Sequence, residues 1–210
     1  MTSRLKVRPT KSTLLALRRE LVTLLHGHDL LERKRELLSR LVRQRLSRYR
    51  ELRRSASQAL EDAYHWLTIA HLRMGSTQLR QAVLGLQPSL SVHVLPRSNI
   101  GVEYPSVSVQ NVPLQPIGLM WTDASFDETR VRMATIAILL AQLGEAETAL
   151  WRLLAEQRKT QKRVNALKYN VIPRYRSSIR YIESALSEEE RNSLFQLKVL
   201  RDAQEAIDGP

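Results

Sequence analysis

The feature that most constrains this chain is a stepped row of apolar residues in its N-terminal part. Seventeen positions from Leu14 to Ala70 follow one another at alternating intervals of three and four residues, and 14 of them are apolar. This spacing puts one side chain per turn on the same face of an α-helix and is typical of a coiled coil. A helix of about 60 residues is about 90 Å long. Such a row needs a second helix to cover it.

A second row of the same kind lies in the C-terminal half. It begins at Ile136, steps by threes and fours to Leu167, and continues to Leu186. The step changes close to Pro173. Proline removes one backbone hydrogen bond inside a helix and crowds the preceding turn, so we expect a bend or a local loosening there. Two long rows in one chain bury each other when the helices fold back antiparallel.

Short capping signals lie at the ends of these rows. Thr10 precedes the first row and can cap its helix, because a threonine hydroxyl accepts a hydrogen bond from a free backbone N–H. Ser125 and Glu128 have the S-x-x-E spacing of a capping box before the second row. Ser187 and Glu190 have the same spacing after it, so we expect a new helical segment to start there.

The stretch between the rows has a different character. After Gly75, residues 76–86 can form a short helix. Residues 91–95 and 105–109 alternate between apolar and polar types with turn residues between them, which predicts a β-hairpin or two short strands. A loop is expected from Pro113 to Gly118. Because this stretch adds no residue to either row, we expect the two long helices to fold without it.

These patterns predict a mainly α-helical protein: a long antiparallel two-helix coiled-coil hairpin with a small middle insert that contains a short helix and a β-hairpin. The expected division is an N-terminal coiled-coil helix at 1–74, the insert at 75–125, and a C-terminal coiled-coil helix at 126–210 with a terminal segment at 188–207. The seam between the long helices is expected to contain Leu14, Leu17, Leu21, Leu24, Leu31, Leu38, Val42, Leu52, Ile136, Leu139, Leu143, Leu150, Leu153, Val164, Leu167, Val171, Ile179 and Ile182.

The composition of the chain limits the kinds of functional site that it can have. The chain has no cysteine and a formal charge of +12, and residues 1–60 carry 16 Lys and Arg against 5 acids. Such basic surfaces attract nucleic acid, anionic lipid or an acidic protein cavity, or are simply solvated. The sequence has no G-x-x-x-x-G-K-[ST] phosphate loop, and its five histidines form no ligand pair supported by a third group. We therefore expect no catalytic residue, no metal and no cofactor.

The C-terminal row also carries a family resemblance. RVNALKYNVIPR, IRYIESALSEEER and FQLK resemble the C-terminal signature of the D subunit of the V/A-type ATPases, which is the central rotor stalk of those complexes. Two positions depart from it: Lys168, where the family usually has Glu, and Asn170, which is usually apolar. The matching residues are Arg163, Val164, Asn165, Ala166, Leu167, Ile172, Pro173, Ile179, Tyr181, Ile182, Glu190, Arg191, Leu197 and Lys198.

The resemblance implies a function and partners. It implies a non-catalytic rotor shaft that couples ATP hydrolysis or synthesis in a catalytic hexamer to proton or sodium ion movement through a membrane rotor. The implied partners are the A-type and B-type subunits of the hexamer, the small F subunit of the stalk and the funnel-shaped C subunit. The implied location is cytoplasmic, on a membrane complex but without insertion into the bilayer. Candidates for partner contact are Lys11, Lys34, Arg35, Arg163, Asn165, Arg174, Tyr181, Leu194, Phe195 and Leu197.

One alternative comes from a different class. A basic helical hairpin can bind RNA or DNA through its arginine-rich faces, or serve as a coiled-coil scaffold. The sequence shows no nucleic-acid reader motif and no basic stripe interleaved with aromatic residues. The two hypotheses differ in salt dependence, because binding to phosphates weakens steeply as salt concentration rises.

Overall fold

Helix is the dominant conformation of the chain, and the predicted fold class is confirmed. The computed structural model describes residues 5, 7–88, 90–111, 113 and 122–207. The predicted loop from Pro113 to Gly118 lies outside these residues except for Pro113. In chain order the elements are α1 (Lys11–Met74), α2 (Ser76–Leu84), β1 (Leu90–Asn99), β2 (Val102–Asn111), α3 (Ala124–Ala166), a π-helical turn (Leu167–Val171) and α4 (Ile172–Ile207).

The start of α1 agrees with the predicted cap. The hydroxyl of Thr10 accepts a hydrogen bond from the backbone N–H of Thr13 at 3.2 Å. The carbonyl of Thr10 accepts another from the N–H of Leu14 at 3.0 Å. From there α1 runs for 64 residues without interruption, up to Gly75 with its positive φ of 79°. The long first row is therefore one continuous helix.

The two predicted capping boxes are wrong. At the start of α3 the capping group is Asp123, whose carboxylate accepts hydrogen bonds from the backbone N–H and the hydroxyl of Ser125. Ser187 lies inside α4 and donates its hydroxyl proton to the carbonyl of Ser184 at 2.9 Å. A serine hydroxyl can bond to the preceding turn within a helix, so the S-x-x-E spacing starts no new segment here.

The cap at Asp123 gives a pH-dependent prediction. Hydrogen bonds from Ser125 and then from Arg73 hold the pKa of this carboxyl below its usual range. Because the folded-state pKa is lowered, the stabilisation is present at neutral pH and is lost as pH falls through the lowered pKa, below about 4. We expect Asp123→Ala to lower the melting temperature slightly at pH 7. The difference from the parent should shrink below pH 4, and a difference that stays constant down to pH 2 would contradict this assignment.

The chain folds into two compact units, and each draws on both halves of the sequence. Unit 1 comprises Met1–Glu36 and Lys159–Pro210, and unit 2 comprises Leu37–Arg158. This grouping cuts across both long helices. The three-segment division at 74 and 125 therefore stays a prediction.

Unit 1 is held by an apolar core between the start of α1 and α4. Leu17, Ile179 and Ile182 are buried at its centre. The partly buried residues around them are Leu5, Leu14, Leu21, Tyr175 and Leu186. Positions that increase along α1 meet positions that decrease along α4, so the two helices are antiparallel in this unit.

Unit 2 has two core clusters between α1 and α3. The first contains Leu38, Val42, Leu150 and Leu153 together with Val102 from β2. The second contains Ala56, Ala63 and Ile136. Here too the pairing runs in opposite directions along the two helices. Small alanines at the second cluster allow close approach of the helix backbones, while leucines fill the first.

The insert contains the predicted β-hairpin. β1 and β2 pair antiparallel, with Asn99 opposite Val102 next to a two-residue turn. The turn residues Ile100 and Gly101 have φ angles of 53° and 72°. Two consecutive positive φ angles match the right-handed twist of the strands, and glycine adopts such angles without steric cost.

The hairpin packs on the core of unit 2, although it adds no residue to either row. The expectation that the two long helices fold without it stays a prediction. Val102 and Tyr104 are 6% and 2% exposed, and Val102 packs against the cluster of Leu38 and Leu153. Three polar contacts hold the hairpin: Arg45 Nη2 donates to Tyr104 Oη at 3.1 Å, Arg152 Nη1 donates to the carbonyl of Glu103 at 2.9 Å, and Glu145 Oε2 accepts from the N–H of Val107 at 2.9 Å.

Tyr104 therefore provides a second prediction. We expect Tyr104→Ala to lower the free energy of unfolding by about 3–4 kcal/mol, because it removes a large buried ring and leaves a cavity. Tyr104→Phe keeps the ring under the Arg45 guanidinium and loses only the hydroxyl contact, at a cost of about 1 kcal/mol. Urea unfolding measures both. Equal costs for the two variants would contradict the buried position of the ring.

The 18 predicted seam residues are all at least half-buried. Those that the structure buries are Leu17, Leu38, Val42, Ile136, Leu150, Leu153, Val164, Ile179 and Ile182. Those that are half-buried are Leu14, Leu21, Leu24, Leu31, Leu52, Leu139, Leu143, Leu167 and Val171. Ile172, which is not among the 18, is only 6% exposed and more deeply buried than its predicted neighbour Val171.

One helical run passes a simple test for a membrane span. Residues Ala124–Asp202 are long enough, and one stretch of them is apolar enough, to cross a bilayer by length and composition alone. A single helix of this kind is weak support for a span. Only 12 uncharged residues separate Arg132 from Glu145, which is about 18 Å of helix against a hydrocarbon core of about 30 Å. Ile136 within this stretch is buried in unit 2.

Candidate partner-binding surfaces

A row of polar contacts fixes the first part of α1 beside α4 and the end of α3 in unit 1. They are Lys11 Nζ to Glu190 Oε1 at 2.8 Å, Arg18 Nη2 to Glu183 Oε1 at 2.6 Å, and Arg35 Nη1 to Gln161 Oε1 at 3.4 Å. Between them, a hydrogen bond to the Glu20 carboxylate raises the pKa of Tyr175. The backbone N–H of Leu5 donates to the hydroxyl of Ser178 at 3.0 Å. These contacts frame the buried core and set the register of the two helices.

The outermost of these contacts marks where the helix pair ends. Lys11 is the first residue of α1, and it pairs with Glu190. Its ammonium group lowers the pKa of the Glu190 carboxyl, which in turn raises the pKa of Lys11. Both groups are exposed, so this pair contributes little to stability. α4 then continues to Ile207.

Beyond Glu190, α4 carries a set of exposed apolar side chains that we call the apolar end surface. Leu194, Phe195, Leu197 and Leu200 are each between 64% and 68% exposed, and Val199 is 50% exposed. Clusters of exposed large apolar residues on a helix mark interaction sites. Nothing in the part of the chain that the structure describes covers them.

The apolar end surface continues the buried face of α4. Leu194, Leu197 and Leu200 follow Ile182, Leu186 and Glu190 at intervals of three and four residues. Residues at this spacing lie on one side of a helix. The side of α4 that packs on α1 in unit 1 is therefore the side that is apolar and open past Lys11. An open groove lined by Lys11, Leu186, Glu190 and Leu194 joins the two regions.

The ten candidate contact residues all belong to unit 1, where six of them form two groups and four lie apart. Lys11, Leu194, Phe195 and Leu197 lie at the end of the helix pair. Arg35 and Asn165 are linked through Gln161, whose Nε2 donates to Asn165 Oδ1 at 2.8 Å, and Arg35 also pairs with Glu32 at 2.6 Å. The remaining four belong to neither group: Lys34 and Arg174 are half-buried, and Arg163 and Tyr181 are exposed.

Sequence reasoning missed a further apolar stripe. Leu15, Val22 and Leu30 are 55%, 53% and 66% exposed, at intervals of seven and eight residues along α1. They lie on the side of the helix opposite the first row, and the interval of two turns is the signal that could have found them. Tyr169 in the π-helical turn is also 67% exposed, with Lys168 Nζ at 5.5 Å from its ring.

The chemistry that these surfaces support is non-covalent binding. Among the described residues, no group of three or more His, Cys, Asp or Glu side chains is placed to hold a metal ion. His28, on the first row, is largely buried beside Asp29 and Glu32. The surfaces offer exposed apolar and aromatic side chains next to arginine, and aromatic residues and arginine are enriched in protein-binding sites.

The fold and these surfaces define a class: an antiparallel two-helix coiled coil with a β-hairpin insert and an exposed, apolar helix end. The family described as the D subunit of ATP synthase matches residues 13–202. The chain therefore belongs to the family of ATP synthase D subunits. It is a central stalk subunit of a V/A-type rotary ATPase, in a membrane-associated complex with other ATPase subunits.

Similarity to individual relatives extends over nearly the whole chain. The V-type ATP synthase D subunit of Thermotoga neapolitana is 31% identical over 94% of this chain and 98% of the relative. The A-type ATP synthase D subunit of Pyrococcus furiosus is 32% identical over 96% of both chains. That of Methanobrevibacter smithii is 32% identical over 96% of this chain and 89% of its own.

Proposed function

We propose that this chain is the rotating shaft that couples ATP hydrolysis or synthesis in a catalytic hexamer to proton or sodium ion movement through a membrane rotor. The nucleotide chemistry belongs to the A-type and B-type subunits, and this chain transmits torque without catalysing a reaction. The complex lies on the cytoplasmic side of the membrane. The observation that carries the proposal is the apolar end surface at the tip of a tightly packed helix pair.

Packing within each unit supports the torque-transmitting part of the proposal. In unit 1, Leu17 and Ile182 are buried between antiparallel helices, and in unit 2 Leu38 and Leu153 are fully buried in the same way. Twisting one helix about the other would separate many such contacts at once. Packed interiors resist small displacements because each side chain interlocks with several neighbours. Such a pair transmits a rotation along its length.

The apolar end surface supports contact with the hexamer. A rotating tip needs a surface that binds a surrounding ring without strong attraction to one position. Leu194, Leu197 and Phe195 offer non-directional apolar contact, since hydrophobic attraction does not depend on orientation. The basic arm at residues 1–60, with 16 Lys and Arg against 5 acids, favours a cavity with acidic groups. We infer that the ends of the chain, near 1–40 and 165–210, enter the hexamer.

Unit 2 provides the surfaces for the remaining partners. We infer that the small F subunit of the stalk binds the coiled coil and that the funnel-shaped C subunit receives the end near α2. The exposed leucines there support this assignment, since Leu72 and Leu84 are 79% and 83% exposed. Neither contact requires insertion into the bilayer.

The proposal is tested against nucleic-acid binding by one assembly experiment. The full chain is mixed with an A-type and B-type ring that lacks it, and separately with double-stranded DNA and with RNA, at low and physiological salt. We expect one copy of the chain per ring at both salt concentrations. Binding to the nucleic acids alone, with an affinity that falls steeply as salt rises, would overturn the rotor proposal.

A further inference from the structure

The buried positions of the second row follow two repeats of three- and four-residue steps that are out of register with each other. We call them the upstream and the downstream frame. The upstream frame runs through Leu153, Gln157, Thr160, Val164 and Leu167 in alternating steps of four and three. In this frame Thr160 and Val164 are 2% and 1% exposed. The downstream frame runs through Ile172, Tyr175, Ile179, Ile182 and Leu186 in the same alternation, and Ile172 and Ile182 are 6% and 1% exposed.

One surplus residue separates the two frames. The interval from Leu167 to Ile172 is five residues, where the repeat would have four. The surplus falls inside the π-helical turn Leu167–Val171, and the backbone N–H of Ile172 donates to the carbonyl of Leu167 five residues earlier. A π turn encloses one residue more than an α turn, so it returns the downstream frame to the side that packs on α1. The first row on α1 has no such surplus.

Pro173 lies directly after this turn. It has no N–H to donate, and in a regular helix its ring would crowd the carbonyl of Tyr169. The wider turn leaves room for that carbonyl. The helix therefore has its weakest backbone hydrogen bonding where the surplus residue lies.

The side chains of the turn contribute little to the core. None of the five residues is buried, and Lys168, Tyr169 and Asn170 are exposed. Buried residues resume on either side of it, at Val164 and Ile172. A local rearrangement of the backbone within this turn would disturb few packed contacts, whereas the same rearrangement one turn away would displace buried side chains.

We propose that the π-helical turn is a built-in twist point: a one-residue insertion that the packing of the seam does not need, and whose own backbone can rearrange while the buried residues on either side stay in place. A backbone N–H in the turn can exchange its bond to the carbonyl five residues earlier for a bond to the carbonyl four residues earlier. Each such exchange moves the surplus residue by one position along the helix. Beyond Pro173 the missing donor stops this exchange, so the motion is confined to the residues before it. This inference concerns the chain alone and stands apart from the rotor proposal.

Deletion of Asn170 in a Pro173→Ala background tests the insertion. The deletion makes the 3–4 repeat continuous from Leu153 to Leu186, so we expect a melting temperature within about 3 °C of Pro173→Ala alone, or higher. The matched control deletes Arg180, also exposed, in the same background. It moves Ile182 and Leu186 out of the seam, and we expect a loss of more than about 8 °C. Similar losses for both deletions would overturn the proposal.

Amide hydrogen exchange of the isolated full chain tests the twist point. We expect residues 167–172 to exchange at least about tenfold faster than the helical turns on either side, in the parent and in Pro173→Ala. In the Asn170 deletion we expect this difference to disappear. Uniform protection in the parent would contradict the inference. So would loss of fast exchange in Pro173→Ala alone, because the proline and not the surplus residue would then create the turn. Either failure would leave the rotor proposal untouched.

Discussion

Leu38→Asp is expected to unfold unit 2 or to leave it close to unfolding at room temperature. Leu38 is fully buried among Val42, Leu150 and Leu153. The substitution removes apolar contact and places a carboxylate in an apolar cluster, at a combined cost of about 5 kcal/mol or more. That cost is comparable with the whole stability of a typical domain. Thermal unfolding followed by helical circular dichroism measures it.

The neighbouring residue supplies the matched control. Leu37 is 52% exposed, on a different side of the same turn of α1. Leu37→Asp introduces the same charge one residue away and should change the free energy of unfolding by less than about 0.5 kcal/mol. If both variants melted with the parent, the antiparallel packing of α1 on α3 in unit 2 would be wrong.

Truncation after Leu186 should reduce coupled ATP turnover several-fold while leaving the isolated chain folded. All described side chains beyond this residue are exposed, so the core of unit 1 keeps its buried residues. The truncation removes the apolar end surface and, with Glu190, the exposed pair to Lys11. ATP hydrolysis and ion transport by the reconstituted complex measure the effect, and circular dichroism confirms that the shortened chain is helical.

A finer variant separates the surface from the length of the helix. Replacing Leu194, Leu197 and Leu200 together by Gln keeps α4 at full length and removes the apolar groups. We expect it to reproduce most of the loss seen on truncation. The control replaces Ser187, Asn192 and Gln196, which are also exposed, by Ala. If the triple Gln variant hydrolysed ATP and transported ions at unchanged rates, the end of α4 would be only a solvent-exposed tail.

The helices and the hairpin could be predicted because their patterns are local. Burial on one side of a helix repeats every three or four residues, so the rows from Leu14 and from Ile136 were sufficient to place α1 and α3. The hairpin followed from alternation around a glycine, and Gly101 indeed has a positive φ. The change of step near Pro173 correctly indicated a loosened helix, which the structure shows as the π-helical turn.

The errors arose where two local choices had similar energies or where the decisive contact was distant in sequence. Asp123 and Ser125 are both good capping residues, and only the fold decides which one accepts the N–H groups of α3. Val171 and Ile172 are both apolar, and the surplus residue decides which is buried. Tyr104 is buried by α1 and α3, more than 40 residues away on either side, and no short pattern reports that contact.

The candidate contact residues were harder to predict than the fold. Exposure of Leu194 and Leu197 followed from a row that continues after its partner helix has ended. Arg35 and Asn165 instead form contacts within unit 1 through Gln161. Family motifs retain residues for internal packing as well as for binding, and a sequence alone does not separate the two reasons.

Direct observation of rotation is the measurement that tests the central claim. The chain has no cysteine, so Leu84→Cys, at a position 83% exposed, gives a single site for a fluorescent or bead label. With the hexamer fixed to a surface and ATP supplied, we predict continuous rotation of the label in one direction, at a rate that follows ATP hydrolysis. A label that stays fixed relative to the hexamer while ATP is hydrolysed and ions are transported would contradict the account.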